Sequence, residues 1–286
     1  MKLYNNFTSF LFIKFYLLLL AISSYTFPWA VGVPGFVPKK PLLHHDLVDL
    51  AIRYNAGVVQ FGDNLPLHLL NSRQLASLKT RASEAKLGFE VGTRRLTKEN
   101  LAAYLRLAVT LESPFVRMII DDGDYQPSFS EIIRLINASV PALKAANVKL
   151  ALENHDRFKS TELRKMIIGT DPEWVGVCLD TANSIGSNEG LIETMSVLMP
   201  FTINLHLKDV MIKRVPHKMG FTVEGTAAGA GMLDLAWVVR ELRKSGQCRS
   251  AVVELWTTPL DDLQGTIARE KMLAEQSIDY IKQLLL

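Results

Sequence analysis

Two hydrophobic periodicities alternate along the chain from residue 20 to its end. Apolar runs typical of buried strands fall at 19–27, 57–62, 87–92, 115–121, 148–154, 175–181, 201–208 and 251–256. Stretches with the apolar spacing of amphipathic helices lie between many of them, at 46–55, 72–86, 97–111, 130–146, 234–244 and 266–284. Because neighbouring parallel strands need a crossover connection, this alternation predicts a parallel sheet.

The number of strands favours a closed barrel over an open sheet. Eight predicted strands in 286 residues match the (β/α)₈ TIM barrel, which typically has about 250 residues. An open sheet usually carries a glycine-rich phosphate loop after its first strand, whereas the segment here reads Pro28-Trp-Ala-Val-Gly-Val-Pro-Gly-Phe. The sequence therefore predicts an α/β protein with one (β/α)₈ barrel domain over residues 19–286. An N-terminal extension over residues 1–18 precedes it.

The N-terminal segment has two interpretations. Its unbroken apolar run, from Phe15 to Ile22, is far shorter than the roughly 20 residues that span a bilayer, so no stable membrane span is predicted. The run could be the core of a weak signal peptide that is cut near Ser23. Alternatively, residues 19–27 are the first barrel strand, and cleavage there would remove half of it. We favour the strand and expect a cytoplasmic protein, with export through this segment as the alternative.

Composition excludes some classes of partner. Hydrophobic residues make up 48% of the chain and charged residues 21%, which is typical of a globular protein. The net charge of +3 is too small to indicate a nucleic-acid surface, so we expect a small-molecule ligand and no nucleic acid. Cys178 and Cys248 form no CxxC motif and are predicted to be reduced thiols.

Four of the predicted strands carry a residue that can bind a divalent cation, at or near the strand's carboxyl end. Each alone has a structural explanation, such as a solvated loop, a helix cap or a satisfied core histidine. Together they would converge, because the carboxyl ends of barrel strands meet at one face. Carboxylates with one imidazole suit Mn²⁺ or Mg²⁺, with Co²⁺ or Zn²⁺ also possible. The predicted ligands are Glu153, Asp180, His206 and Glu254.

Other residues near the expected mouth are candidates for substrate binding. His155 follows strand five, Lys208 follows His206, and Arg94 follows strand three, while Trp256 could stack on a sugar. A basic cluster in the loop after strand seven could contact a substrate carboxylate or phosphate. Solvated loops and rim packing are the structural alternatives for all of them. The cluster consists of Arg214, His217 and Lys218.

The segment from Glu224 to Gly231 is rich in glycine but does not match a nucleotide-binding loop. It lacks the Lys-Ser/Thr pair of a P-loop and does not directly follow a predicted strand. We expect a flexible lid or a turn that leads into the helix at Asp234.

With these residues in place, the chain resembles the xylose isomerase-like barrel superfamily over residues 20–284, in particular its sugar phosphate isomerase/epimerase branch. The resemblance rests on Ala151-Leu-Glu-Asn-His, Cys178-Leu-Asp-Thr, Asn204-Leu-His-Leu-Lys-Asp and Val253-Glu-Leu-Trp. It implies a divalent ion held by the four predicted ligands. In its ketose epimerase members the two glutamates also move protons. The expected function is a metal-dependent sugar isomerase or epimerase that acts through a metal-stabilised ene-diolate, with Glu153 and Glu254 as acid/base groups. Such barrels often form homodimers.

One departure from the epimerase pattern keeps alternatives open. Epimerase-like members commonly carry His three residues after the strand-six Asp, and this chain has Asn183, which cannot carry a proton near neutral pH. Asn183 can still hydrogen-bond to substrate. The first alternative is a lyase that decarboxylates a 3-oxo sugar acid at the same site, and the second is a non-catalytic sugar-binding barrel. The nuclease branch would need more histidine ligands than this chain supplies.

Overall fold

Eight parallel strands close into a barrel in the computed structural model, which describes residues 17–286. Their order around the barrel is β1-β10-β7-β6-β5-β4-β3-β2. β1 closes the ring by pairing with β10, where Leu19 lies opposite Ser250, and with β2, where Ala21 lies opposite Val58. The barrel strands are β1 (Leu19–Ser23), β2 (Val58–Phe61), β3 (Gly88–Arg94), β4 (Phe115–Ile119), β5 (Lys149–Glu153), β6 (Val175–Asp180), β7 (Thr202–Leu207) and β10 (Ser250–Val253).

This architecture confirms the predicted (β/α)₈ barrel. All eight predicted strands are present, with one clear difference in length. The first strand ends at Ser23 instead of residue 27, because the Ser23 hydroxyl accepts a hydrogen bond from the Tyr25 N–H and starts a 3₁₀ turn. Residues 1–16 of the predicted extension lie outside the described residues. No helix within residues 17–286 is long and apolar enough to cross a membrane.

Helices surround the barrel and cover the outer faces of its strands. Hydroxyl caps start two of the predicted ones, because Thr97 accepts from the Asn100 N–H and Ser128 from the Glu131 N–H. The six predicted helices are all present, whereas α1, α6 and α7 were not predicted. The helices are α1 (Pro28–Val31), α2 (His44–Arg53), α3 (Ser72–Glu84), α4 (Lys98–Leu111), α5 (Phe129–Ala146), α6 (Ser160–Ile168), α7 (Leu191–Leu198), α8 (Leu235–Ser245) and α9 (Leu263–Leu285).

A β-hairpin that the sequence did not predict follows β7. Its strands, β8 (Asp209–Arg214) and β9 (Phe221–Thr226), pair antiparallel outside the barrel. The predicted glycine-rich segment begins within β9, which contains Glu224 to Thr226. The rest of it is a turn fixed by Asp209, whose buried carboxylate accepts hydrogen bonds from the N–H groups of Gly229, Gly231 and Leu233 at 2.9–3.1 Å. The base of the hairpin therefore has a fixed position beside the barrel mouth.

Candidate active site

The four predicted metal ligands meet at the carboxyl-terminal face of the barrel. Glu153 and Asp180 are the last residues of β5 and β6, His206 is the penultimate residue of β7, and Glu254 directly follows β10. All four side chains are buried. Burial of three carboxylates at one point is costly unless cations compensate their charge, so the arrangement itself indicates a cation site.

His206 lies at the centre of this group. Its Nδ1 is 3.3 Å from Glu254 Oε1, 3.6 Å from Glu153 Oε2 and 4.0 Å from Asp180 Oδ2. Burial alone would lower the pKa of His206, but the charges of Glu254 and Glu153 raise it. Its Nε2 is buried without a hydrogen-bond partner among residues 17–286. One ligand atom each from Asp180, His206 and Glu254 fits within 4.8 Å of the others, which suits a divalent cation.

Cys178 also lies beside the centre, where it forms a second potential group with Glu153 and His206. Only a thiolate binds metal well, and burial raises the pKa of the Cys178 thiol far above its usual range. The thiol donates instead to Asn204 Oδ1 at 3.1 Å. Cys178 therefore lacks the thiolate character that a metal ligand needs.

Lys208 balances part of the negative charge of the centre. Its Nζ lies 2.9 Å from Asp180 Oδ2 and 3.0 Å from Glu254 Oε2, and donates to Asn183 Oδ1 at 3.3 Å. Burial opposes the lysine's charge, but Asp180 and Glu254 outweigh it and raise the pKa of Lys208. Burial likewise opposes the charge of Glu254, yet His206 and Lys208 hold the pKa of Glu254 well below its ordinary value. Both groups therefore stay charged at neutral pH.

Arg117 on β4 forms the other buried ion pair of the site, which the sequence reasoning missed. Its Nε donates to Glu153 Oε2, and its Nη1 donates to Asp63 Oδ1 at 3.0 Å. The second oxygen of Glu153 accepts from Asn183 Nδ2 at 2.9 Å. A charged residue inside the apolar run Phe115-Val-Arg-Met-Ile was an available signal, because it needs a buried partner just as the predicted ligands do.

A cleft of about 680 Å³ is lined by two of the predicted ligands, Glu153 and Glu254, and its volume is typical of small-molecule sites. Aromatic side chains, including Tyr25 and Trp29, line part of its wall. Most of the predicted substrate-binding residues line the same cleft. These residues are Arg94, His155, Asn183, Lys208 and Trp256.

Arg214 and His217 are placed differently. Both lie on the outer part of the hairpin and do not line the cleft. The Arg214 guanidinium stacks over the Phe221 ring at 4.3 Å and donates to the Lys218 carbonyl, while His217 Nδ1 accepts from the Met219 N–H. The hairpin carries the basic cluster outward, so this placement does not support the predicted contact with substrate.

Comparisons with known proteins agree with this geometry. A 3-oxo-isoapionate decarboxylase from Pectobacterium atrosepticum is 26% identical over 262 residues, which cover 92% of this chain and 94% of that protein. The crystal structure of D-psicose 3-epimerase from Clostridium cellulolyticum H10 superposes with a TM-score of 0.68 at 15% identity, over 94% of this chain and 99% of that one. A xylose isomerase-like TIM barrel protein from Mycobacterium smegmatis, solved in complex with magnesium, has a TM-score of 0.65 at 12% identity, over 95% and 98% of the two chains.

The family model described as xylose isomerase-like TIM barrel matches residues 80–284, which include β3 to β10 and all four predicted ligands. With the closed eight-stranded barrel, this match shows that the chain belongs to the xylose isomerase-like TIM barrel family.

Proposed function

We propose that this protein is a divalent-metal-dependent carbon–carbon lyase that decarboxylates a 3-oxo sugar acid. The observation that carries the proposal is the state of Glu153, whose two oxygens accept hydrogen bonds from Arg117 and Asn183. An epimerase needs a carboxylate that is free to remove a proton from carbon. Loss of CO₂ from a 3-oxo acid needs no such step, so the buried ion pair of Glu153 with Arg117, which protonation of Glu153 would break, favours decarboxylation.

Similarity to the 3-oxo-isoapionate decarboxylase supports this choice, since it extends over 92% of the chain. Asn183 supports it as well, because an amide can orient Glu153 and a substrate oxygen but cannot carry a proton at neutral pH.

Each residue of the centre has a definite part in this proposal. Glu153, Asp180, His206 and Glu254 would hold the ion, as Mn²⁺ or Mg²⁺ in preference to Zn²⁺ or Co²⁺, because three of the four ligands are carboxylates. When bound, the ion supplies Lewis acidity that stabilises negative charge on a carbonyl oxygen.

The substrate's C–C bond breaks so that its electron pair stays on the ketone's neighbouring carbon, CO₂ leaves, and a solvent-derived proton is added to that carbon. Asn183 and Lys208 lie beside the ligands on the cleft wall, where they can orient substrate hydroxyls. The flanking aromatic side chains, Trp29 and Trp256, offer faces for the sugar carbons.

Sugar isomerisation or epimerisation is the second candidate. The same ligand set and the likeness in fold to D-psicose 3-epimerase favour it. In that chemistry Glu153 and Glu254 would act as the acid/base pair, and Glu153 would have to exchange its contact with Arg117 for a substrate proton.

Nuclear magnetic resonance in D₂O tests both candidate functions with one preparation of the protein. Mn²⁺-loaded protein is incubated with a 3-oxo sugar acid and separately with a panel of ketoses, and the Mn²⁺ is removed before spectra are recorded. Release of CO₂ with one deuterium on the shortened product supports the lyase. Deuterium entry into an unshortened sugar supports the isomerase, and no change in either supports the non-catalytic barrel. Glu254→Gln should abolish turnover with an unchanged fold, and Glu241→Gln on the surface is the matched control.

We further propose a cytoplasmic location, because Cys178 and Cys248 are both free and buried, as expected in a reducing compartment. The expected homodimer stays a prediction.

A further inference from the structure

Beside the metal centre, a cluster of four polar side chains lines or supports the cleft wall formed by strands β2 to β4. Asp63 is its anchor. Its Oδ1 accepts from Arg117 Nη1 at 3.0 Å, and its Oδ2 lies 2.6 Å from Arg94 Nε and accepts from the Tyr25 hydroxyl at 2.9 Å. Burial opposes the charge of Asp63, but the two guanidinium groups outweigh it and lower its pKa. Asp63 is therefore an anion that fixes the position of both arginines.

The two arginines differ in how far their guanidinium groups are exposed to a ligand in the cleft. The Arg117 side chain is only 2% exposed, and both Glu153 and Asp63 engage it. The Arg94 side chain is 34% exposed and lines the cleft. Asp63 is its one ion-pair partner within residues 17–286, and the closest contact lies on the Nε side of the guanidinium. A guanidinium held on one edge presents the other edge as a fork that matches a carboxylate.

The charge balance of the cleft indicates the charge of its ligand. Arg94, Arg117 and Lys208 supply three positive charges against the four carboxylates they contact or neutralise, which are Glu153, Asp180, Glu254 and Asp63. A bound divalent ion, with His206 as a neutral ligand, would leave one positive charge in excess. A monoanion would neutralise this excess, whereas a phosphate dianion would leave the buried site negative.

We propose that Arg94 binds the carboxylate of the substrate and selects a monoanionic sugar acid over neutral sugars and sugar phosphates. This inference rests on the proposed function for the reaction that follows, but the binding site itself stands on the geometry of Arg94 and Asp63. Arg95, the next residue, points away from the cleft and contacts Asp122 and Tyr125 instead.

The position of this contact makes a kinetic prediction. Decarboxylation removes the charge from the carboxylate, so Arg94 stabilises the bound substrate more than the transition state. Removal of a charge-assisted hydrogen bond should weaken binding by roughly ten- to a hundredfold. Arg94→Gln should therefore raise KM by that factor without lowering kcat.

Direct binding tests the inference without turnover. Calorimetric titration of the Mn²⁺-loaded protein uses three probes of the same carbon number, namely D-xylonate, xylitol and D-xylulose 5-phosphate. The wild type should prefer D-xylonate, and Arg94→Gln should lose at least tenfold in D-xylonate affinity with no change for xylitol. Arg94→Lys keeps the charge without the fork, so its D-xylonate affinity should lie between those of the wild type and Arg94→Gln. Arg95→Gln is the matched control and should bind like the wild type.

A structural role for Arg94 would give a different result. Loss of the Arg94–Asp63 pair could disturb Arg117 and, through Glu153, the metal ligands. Mn²⁺ affinity and melting temperature are therefore measured for each variant. A fall in D-xylonate affinity with both unchanged supports the proposal, and an equal fall for xylitol or for Mn²⁺ overturns it.

Three further outcomes overturn the inference. They are no preference of the wild type for D-xylonate over xylitol, unchanged D-xylonate affinity in Arg94→Gln, and tighter binding of the phosphate probe than of D-xylonate. Failure of the proposed function gives a different result from failure of this inference. Arg94-dependent D-xylonate binding without CO₂ release refutes the lyase alone, whereas CO₂ release with an unchanged KM in Arg94→Gln refutes the carboxylate site alone.

Discussion

Arg117→Met should strongly destabilise the protein, because it removes the buried cation between two carboxylates. The Arg117 side chain is 2% exposed and its partners Glu153 and Asp63 are 1% and 13% exposed. Loss of one partner from a buried ion pair costs about 3–5 kcal/mol in unfolding free energy. Asp63 keeps Arg94 and Tyr25, so we expect most of this cost to come from Glu153. That carboxylate is left with the neutral Asn183 and with His206 Nδ1 at 3.6 Å.

Urea unfolding followed by circular dichroism measures this loss. EDTA is present, so that no metal ion replaces the missing guanidinium. The double variant Arg117→Met/Glu153→Gln should recover about 2 kcal/mol or more, because it buries no unpaired charge at Glu153. Arg95→Met is the matched control. Its guanidinium is 51% exposed and lies 3.7 Å from Asp122, so its removal should change stability by less than about 0.5 kcal/mol.

Two results would refute the reasoning. A loss below about 1 kcal/mol for Arg117→Met would mean that Glu153 does not depend on this cation. A full loss that the double variant does not relieve would mean that Arg117 stabilises the barrel through packing of its aliphatic stem, and not through its charge.

Three other predictions follow from buried charges. Lys208→Met should raise Mn²⁺ affinity roughly tenfold in calorimetric titration, because the ammonium contacts the carboxylate oxygens of Asp180 and Glu254 that a divalent ion would bind; unchanged or weaker binding would contradict this. Burial raises the pKa of Glu270 from 4.5 to about 7, so the wild type should lose about 3 kcal/mol of stability relative to Glu270→Gln as the pH rises from 4.5 to about 8. The sign follows because the folded state binds the extra proton over this range. Unfolding free energies that change equally with pH in the two proteins would disprove it. Asp209→Asn should cost about 2–3 kcal/mol in urea unfolding, since an amide nitrogen would face backbone N–H donors; a change below about 1 kcal/mol would show that water replaces the carboxylate.

The barrel could be predicted because its strands are buried on both faces and therefore read as continuous apolar runs. Residues 202–207 and 175–180, for example, are buried at every position. The hairpin β8–β9 has no such pattern, since no residue of β9 is buried and both strands carry charged and polar residues. The end of β1 depends on one hydroxyl cap at Ser23, a contact that hydrophobic periodicity does not detect.

The positions of the four predicted ligands followed from strand ends alone, but their partners did not. Arg117 lies opposite Ala151 in the β4–β5 register, and Glu153 is two residues further along on the same face. The long arginine side chain reaches that position and pairs with the carboxylate. A sequence shows neither the register nor the length over which a side chain extends, so the cation was missed although its burial in an apolar strand was visible.

The ion pairs of Glu153 and Glu254 also bear on the chemistry, because an epimerase would use these two carboxylates as acid/base groups. Glu254 accepts from the Ser23 hydroxyl and pairs with Lys208, and its Oε1 lies 3.3 Å from His206 Nδ1. Glu153 is held by a permanent guanidinium on one oxygen and by an amide on the other. A carboxylate in a buried ion pair can ligate an ion through its remaining lone pairs, but a proton from carbon would neutralise it and leave its cation unpaired. The two buried ion pairs therefore support the proposed reaction, in which a bond other than C–H breaks first.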